Sequence, residues 1–118
     1  MKLPFSLDVV IPRIVSLGLT RLPNEACGFV IPNLNQPIDE WVVELVNRSP
    51  QPTTSYKCDA TAIQGLLDDP EVWGDVLIWH THPSGNVGPS KGDMENRHPA
   101  LHGRYLVVAL PRGEATLF

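Results

Sequence analysis

The stretch from Asp75 to Asp93 limits what this chain can become more than any other. It opens with Val76-Leu77-Ile78-Trp79, an unbroken apolar run, and passes directly into His80-Thr81-His82-Pro83. Such a run predicts a strand over residues 76–80, apolar enough to lie at the centre of a sheet with both faces covered. Side chains alternate along a strand, so His80 and His82 point to the same side and can reach one ion. Eleven positions after His82, past Gly85, Gly88 and Pro89, comes Asp93, a carboxylate that a turning loop can bring back to the two imidazoles. Two histidines and one carboxylate leave a fourth position open for water. That is the ligand pattern of a catalytic zinc, because a structural zinc takes four protein ligands, usually with cysteines among them.

Plainer readings of the same residues exist. Ser90-Lys91-Gly92-Asp93 has the form of a capping box, with hydroxyl and carboxylate satisfying free amides at a helix start. The two roles are compatible, since a helix start is a rigid place from which to aim a carboxylate. His98 and His102 are spaced by four, but Pro99 disfavours one helix presenting both, and no Glu follows His98 as the H-E-x-x-H zinc-protease motif requires. They read as surface or capping histidines. A cytidine-deaminase site needs H-x-E followed by P-C-x-x-C, and neither is present.

The 118 residues suit a single domain over 1–118 with one modest core. The net charge is -4, without a basic run or interleaved aromatics, which argues against nucleic acid or an anionic membrane as partner. No apolar run approaches the roughly 20 residues of a membrane span, and Lys2 followed by Pro4 and Asp8 does not read as a signal peptide. A soluble, cytoplasmic protein is expected. Cys27 and Cys58 are too few for a disulfide scaffold and not spaced as a metal pair, so both read as small hydrophobes.

The coarse pattern predicts a short strand over 5–10 and a helix from Pro12 to about Leu19, with Ile14, Val15, Gly18 and Leu22 turned inward. Strands over 27–31 and 41–46 follow as a hairpin, then an extended stretch at 55–58 and a helix over 60–67 with Asp59 as N-cap. After the ligand loop come a short helix opened by Ser90, a core strand over 105–110 and a last strand over 115–118. The fold class is α/β or α+β, in three layers at most.

Hydrolysis by an activated water also needs a group to take its proton and pass it to the leaving amine. By residue type, Glu25, Glu40, Glu44, Glu71 and Glu95 are candidates. Glu25 stands out because it precedes a buried strand at a helix-to-strand junction, where a carboxylate can lean into a cleft.

Together, Glu25-Ala26-Cys27-Gly28-Phe29, His80-x-His82-Pro83 and Ser90-x-x-Asp93 resemble the JAMM (MPN-plus, JAB-domain) zinc metalloproteases over nearly the whole chain. The resemblance implies a curved mixed β-sheet flanked by helices and one zinc per chain held by His80, His82 and Asp93. It further implies Glu25 as general acid/base and Ser90 as a partner of the tetrahedral oxyanion. Asn47, in the loop after residues 41–46, is where family members often carry an asparagine near the cleft, and is a candidate for binding substrate. Relatives that cleave ubiquitin add insertions for which this chain is too short, so it resembles the minimal prokaryotic and phage-type domains. The expected activity is a metallopeptidase or isopeptidase acting on a ubiquitin-like protein, a phage tail or other viral protein, or a cell-wall peptide. The alternatives are a non-catalytic scaffold and a phage tail-assembly protein of the same fold.

Overall fold

The structure, a computed structural model, describes residues 3, 5–58, 60–69 and 74–118. Asp59, expected as an N-cap, and Glu71, one of the candidate bases, lie outside the described residues.

The predicted strand over 5–10 does not form. Leu7–Val9 is a 3₁₀ turn whose N-cap, Ser6, accepts a hydrogen bond from the Asp8 amide at 3.4 Å. A serine that bonds its own neighbouring backbone competes with extended pairing, and the chain runs on into helix α1, Ile11–Thr20. Pro12 occupies the first turn of α1, as its fixed φ favours. Ile14 and Gly18 are buried and Val15 packs beside the core, but Leu22 is 48% exposed. The helix stops at Thr20, so helical spacing no longer governs residue 22.

Among the described residues, five strands form one sheet in the order β2-β1-β3-β4-β5. They are β1 (Cys27–Val30), β2 (Val42–Leu45), β3 (Leu77–His82), β4 (Tyr105–Ala109) and β5 (Glu114–Leu117). β1 and β2 pair antiparallel, the expected hairpin, and β1 also pairs antiparallel with β3. The β3–β4 pair is parallel, so the sheet is mixed. β2 begins one residue late because Trp41 belongs to a 3₁₀ turn, where its indole N–H donates to the Asn33 carbonyl at 2.8 Å. Residues 55–58 run without joining the sheet. Between them and β3 lies helix α2, Ala60–Asp68, and between β3 and β4 the five-residue helix α3, Lys91–Glu95.

Alternation along the strands builds two cores. Leu77, Trp79, Leu106 and Val108 face α1 and pack with Val10 and Ile14. Phe29, Ile78, Tyr105, Val107 and Phe118 face the other way and are covered by Ala62, Ile63 and Leu67 of α2. The result is the α+β sandwich of helix, sheet and helix expected from the sequence. A side chain at Gly28 has no room: a Cβ there would lie 1.9 Å from the Val43 carbonyl oxygen and 2.9 Å from the Trp79 ring. Glycine therefore lets β1 and β2 pair over the indole.

β3 is longer than the apolar run and extends through both histidines. His80 is in register with Cys27 of β1 and Val107 of β4, and His82 with Ala109 of β4. The backbone beneath the two imidazoles is thus held by neighbouring strands.

Candidate metal centre

His80 and His82 share the face of β3 that carries Ile78, and both are buried, at 0% and 7% exposure. Because β1 runs antiparallel to β3, the head of β1 lies beside the tail of β3, and Glu25 stands two residues before Cys27. Two elements pin this corner. On one side the Ala26 amide donates to the Thr81 hydroxyl at 2.9 Å, and the Thr81 amide donates to the Ala26 carbonyl at 3.0 Å. On the other, the Glu25 amide donates to the Pro52 carbonyl at 2.7 Å, and the Glu25 carbonyl accepts from Asn47 Nδ2 at 2.9 Å. The Glu25 side chain is turned inward and is 5% exposed.

Donor atoms of Glu25, His80 and His82 all lie within 4.8 Å of one another. Asp93 closes the group from the loop side: its Oδ2 lies 3.1 Å from His80 Nε2 and 3.0 Å from His82 Nε2. The capping box is real as well. Ser90 Oγ accepts from the Asp93 amide at 3.1 Å, while the same Oδ2 accepts from the Ser90 amide at 2.9 Å. One carboxylate therefore starts α3 and meets both imidazoles, and the loop that returns it turns at Gly85 and Gly88, with φ of 84° and 81°.

These residues fit a zinc ion. The donors are two imidazole nitrogens with carboxylate oxygens, a set suited to Zn²⁺. Tetrahedral ligands at about 2.0–2.1 Å from zinc stand about 3.3 Å from one another, close to the His–Asp separations found here. Glu25 Oε1 is buried without a hydrogen-bond partner among the described residues, which an ion or its water would relieve. His82 Nδ1 lies 3.1 Å from the Asn86 carbonyl, so that nitrogen carries the hydrogen and Nε2 is left to ligate.

The electrostatics follow from this packing. Burial pushes the Glu25 carboxyl up to about 7; the nearby His82 opposes that rise and Asp93 adds to it. Burial also pushes Asp93 up, but hydrogen bonds from His80 and His82 outweigh it and hold the carboxyl below its ordinary value. His82 is raised, first by its hydrogen bond to Asp93, and His80 is lowered, first by burial.

Of the other candidate carboxylates, Glu44 is paired with Arg21 in a two-pronged contact of 2.6 and 2.9 Å, Glu95 lies 3.8 Å from Lys91, and Glu40 is exposed in the turn before β2. Glu25 is the described glutamate that joins the histidines. His98 caps the 3₁₀ turn Pro99–Leu101, its Nδ1 accepting from the Ala100 amide at 3.1 Å, and His102 is exposed. The Cys27 thiol is buried and raised in pKa by a hydrogen bond with Cys58 and then by burial, so it stays protonated.

Asn47 lies close to the centre but turned into the protein. Its Nδ2 donates to the Glu25 and Ser55 carbonyls and its Oδ1 accepts from the Ser49 and Lys57 amides, at 2.9–3.1 Å. All four hydrogen-bonding positions of the amide are used internally, which leaves none for a substrate. Sequence reasoning missed Tyr56. Its ring lies on that of His80, with centroids 4.1 Å apart and planes 19° apart. No local signal announces it, because the contact spans 24 positions and Tyr56 belongs to no regular element.

A groove of about 440 Å³ opens beside the centre, lined by Arg21, Glu25, Glu44, Leu45, Val46 and Asn47 among others. Among the described residues, no helix is long and apolar enough to cross a membrane.

No similar sequence is found among curated proteins. Among solved structures, the solution structure of protein DSY2949 from Desulfitobacterium hafniense aligns with a TM-score of 0.59 at 22% identity, over 91% of this chain and 75% of that one. At that identity the likeness concerns the fold. The family of prokaryotic homologs of the JAB domain matches residues 8–117, taking in Glu25, both histidines, Ser90 and Asp93. The chain therefore belongs to the prokaryotic homologs of the JAB domain.

Proposed function

We propose that this protein is a zinc-dependent hydrolase of peptide or isopeptide bonds. The observation that carries the reading is the buried Glu25 carboxyl, whose Oε1 has no hydrogen-bond partner among the described residues, beside two imidazoles that converge on Asp93. His80, His82 and Asp93 would hold the ion. Once bound, zinc supplies Lewis acidity to a scissile carbonyl and makes water acidic enough to attack near neutral pH. Glu25, buried beside the two imidazoles, is placed to take a proton from the attacking water and return it to the leaving amine. The Ser90 hydroxyl accepts from the Asp93 amide and keeps its own hydrogen to offer an oxyanion. The groove beside Glu25 has room for a short extended segment, as the C-terminal extension of a ubiquitin-like protein or another peptide substrate would require.

The test is to load the purified chain with zinc, incubate it with ubiquitin-like proteins carrying C-terminal extensions and with a peptide library, and identify new termini by mass spectrometry. Cleavage by the wild type, absent in a Glu25→Gln variant that still holds zinc, is expected. A zinc-loaded wild type that cleaves nothing in either set favours the non-catalytic scaffold or tail-assembly role instead.

A further inference from the structure

The two imidazoles of the centre are held in different ways. His82 has the usual support of a ligand histidine, its second ring nitrogen bonded to the Asn86 carbonyl. His80 does not: its Nδ1 is buried with no hydrogen-bond partner among the described residues. Aromatic packing takes that place. Tyr56 lies flat on the His80 ring at 4.1 Å, and Phe118 meets it edge-on at 6.0 Å.

Tyr56 is on a stretch outside helix and sheet, so its position must come from elsewhere. Asn47 supplies it. The carbonyl before Tyr56, that of Ser55, accepts from Asn47 Nδ2 at 3.0 Å, and the amide after it, that of Lys57, donates to Asn47 Oδ1 at 3.1 Å. The Arg48 amide adds a bond to the Lys57 carbonyl at 3.0 Å. The remaining Asn47 donor goes to the Glu25 carbonyl. One side chain thus grips both peptides flanking Tyr56 and the peptide of the proposed acid/base. Only an amide satisfies this pattern, since an aspartate of the same shape would set a carboxylate oxygen against two carbonyls.

We propose that Asn47 is a positioning residue that sets the metal centre from outside it, acting on His80 through Tyr56 and on Glu25 directly. The inference rests on the zinc reading given above.

The experiment measures zinc affinity by competition with a chromophoric chelator, and the visible spectrum of the Co²⁺ form. It compares the wild-type chain, Asn47→Asp, Tyr56→Leu and Tyr56→Phe, with thermal melts confirming the fold. Tyr56→Phe keeps the stacked ring and is expected within about threefold of the wild type, while Tyr56→Leu and Asn47→Asp are expected to weaken zinc binding about 10–100-fold. Both weakened variants should also shift the Co²⁺ bands, a change that lost stability alone would not produce.

Folded Tyr56→Leu and Asn47→Asp proteins that match the wild type in zinc affinity and Co²⁺ spectrum overturn the proposal. So does a Tyr56→Phe protein as weak as Tyr56→Leu, because the hydroxyl and not the stacking would then matter. If Asn47→Asp fails to fold, Asn47→Ser, which removes the same bonds without adding a charge, takes its place in the comparison with the same expected and overturning results. A folded wild type that takes up no zinc refutes the metal reading itself, before any variant is compared, and this inference falls with it.

Discussion

His82 Nε2 stands 3.0 Å from Asp93 Oδ2, although a loop of ten residues separates them in the chain. The contact brings a strand and a helix start to one point, and it is made twice over, since the same carboxylate oxygen also meets His80 and the Ser90 amide. Without an ion, His82 Nδ1 faces the Asn86 carbonyl and Nε2 faces Asp93, and the hydrogen bond to Asp93 raises the imidazole's pKa above its ordinary value. A cation arriving there displaces protons, so binding releases them and strengthens as pH rises.

Zinc should stabilise the fold. At a free concentration of about 1,000 times its dissociation constant the ion adds about 4 kcal/mol, which raises Tm on the order of 10 °C for a chain of this size. The His82→Ala protein should show no such rise. Paired thermal melts with zinc and with a chelator measure the difference, and equal responses in the two proteins would remove His82 from the ligand set.

Glu25 makes metal-free stability depend on pH in a definite direction. Its carboxyl is pushed up to about 7 by burial, from an ordinary value of 4.5, so the folded state holds a proton that the unfolded state has released. Stability from this group is fully present below about 4.5 and is lost as pH rises through about 7. The loss is on the order of 2–3 kcal/mol. Glu25→Gln removes it, so urea unfolding of metal-free protein at pH 5 and pH 8 should show a smaller drop in the variant. Identical drops would mean that Glu25 is ionised without penalty in the fold.

Ser90 links capping to ligation. Ser90→Ala removes the acceptor for the Asp93 amide and should cost about 1 kcal/mol. Because Asp93 is aimed from that cap, zinc affinity should fall as well, as read by chelator competition. Unchanged affinity would show that the histidines alone keep Asp93 in place.

Gly28→Ala tests the sheet beneath the site. The new methyl meets the Val43 carbonyl oxygen at 1.9 Å and the Trp79 ring at 2.9 Å, so β1 must move away from β2 and the indole must give way as well. A loss of about 3 kcal/mol is expected in denaturant unfolding. β1 leads directly from Glu25 and flanks His80, so zinc binding should weaken in parallel. A stability within about 0.5 kcal/mol of the wild type would show that the sheet adapts.

Where local rules apply, the sequence was readable. The apolar run before His80, the hairpin of β1 and β2 and the Ser90 cap each depend on residues close in the chain. Residues 5–10 depart from the expected strand because Ser6 and Asp8 favour a turn, which Ser6 caps, over an edge strand with nothing to pair with. Asn47 was recognised as close to the cleft, but its hydrogen bonds reach back to Glu25 and forward to Lys57, and no nearby residue signals those partners.

By itself the sequence determined that His80 and His82 share a face and that Ser90 and Asp93 can cap one helix, since strand alternation and helix capping act over two or three residues. Only the tertiary structure decided which glutamate reaches the histidines, that β3 and β4 run parallel, and that Tyr56 covers His80. Those outcomes come from packing between distant segments, such as the Ala26–Thr81 contact across 55 positions, where position is set by the whole core and not by any neighbouring residue.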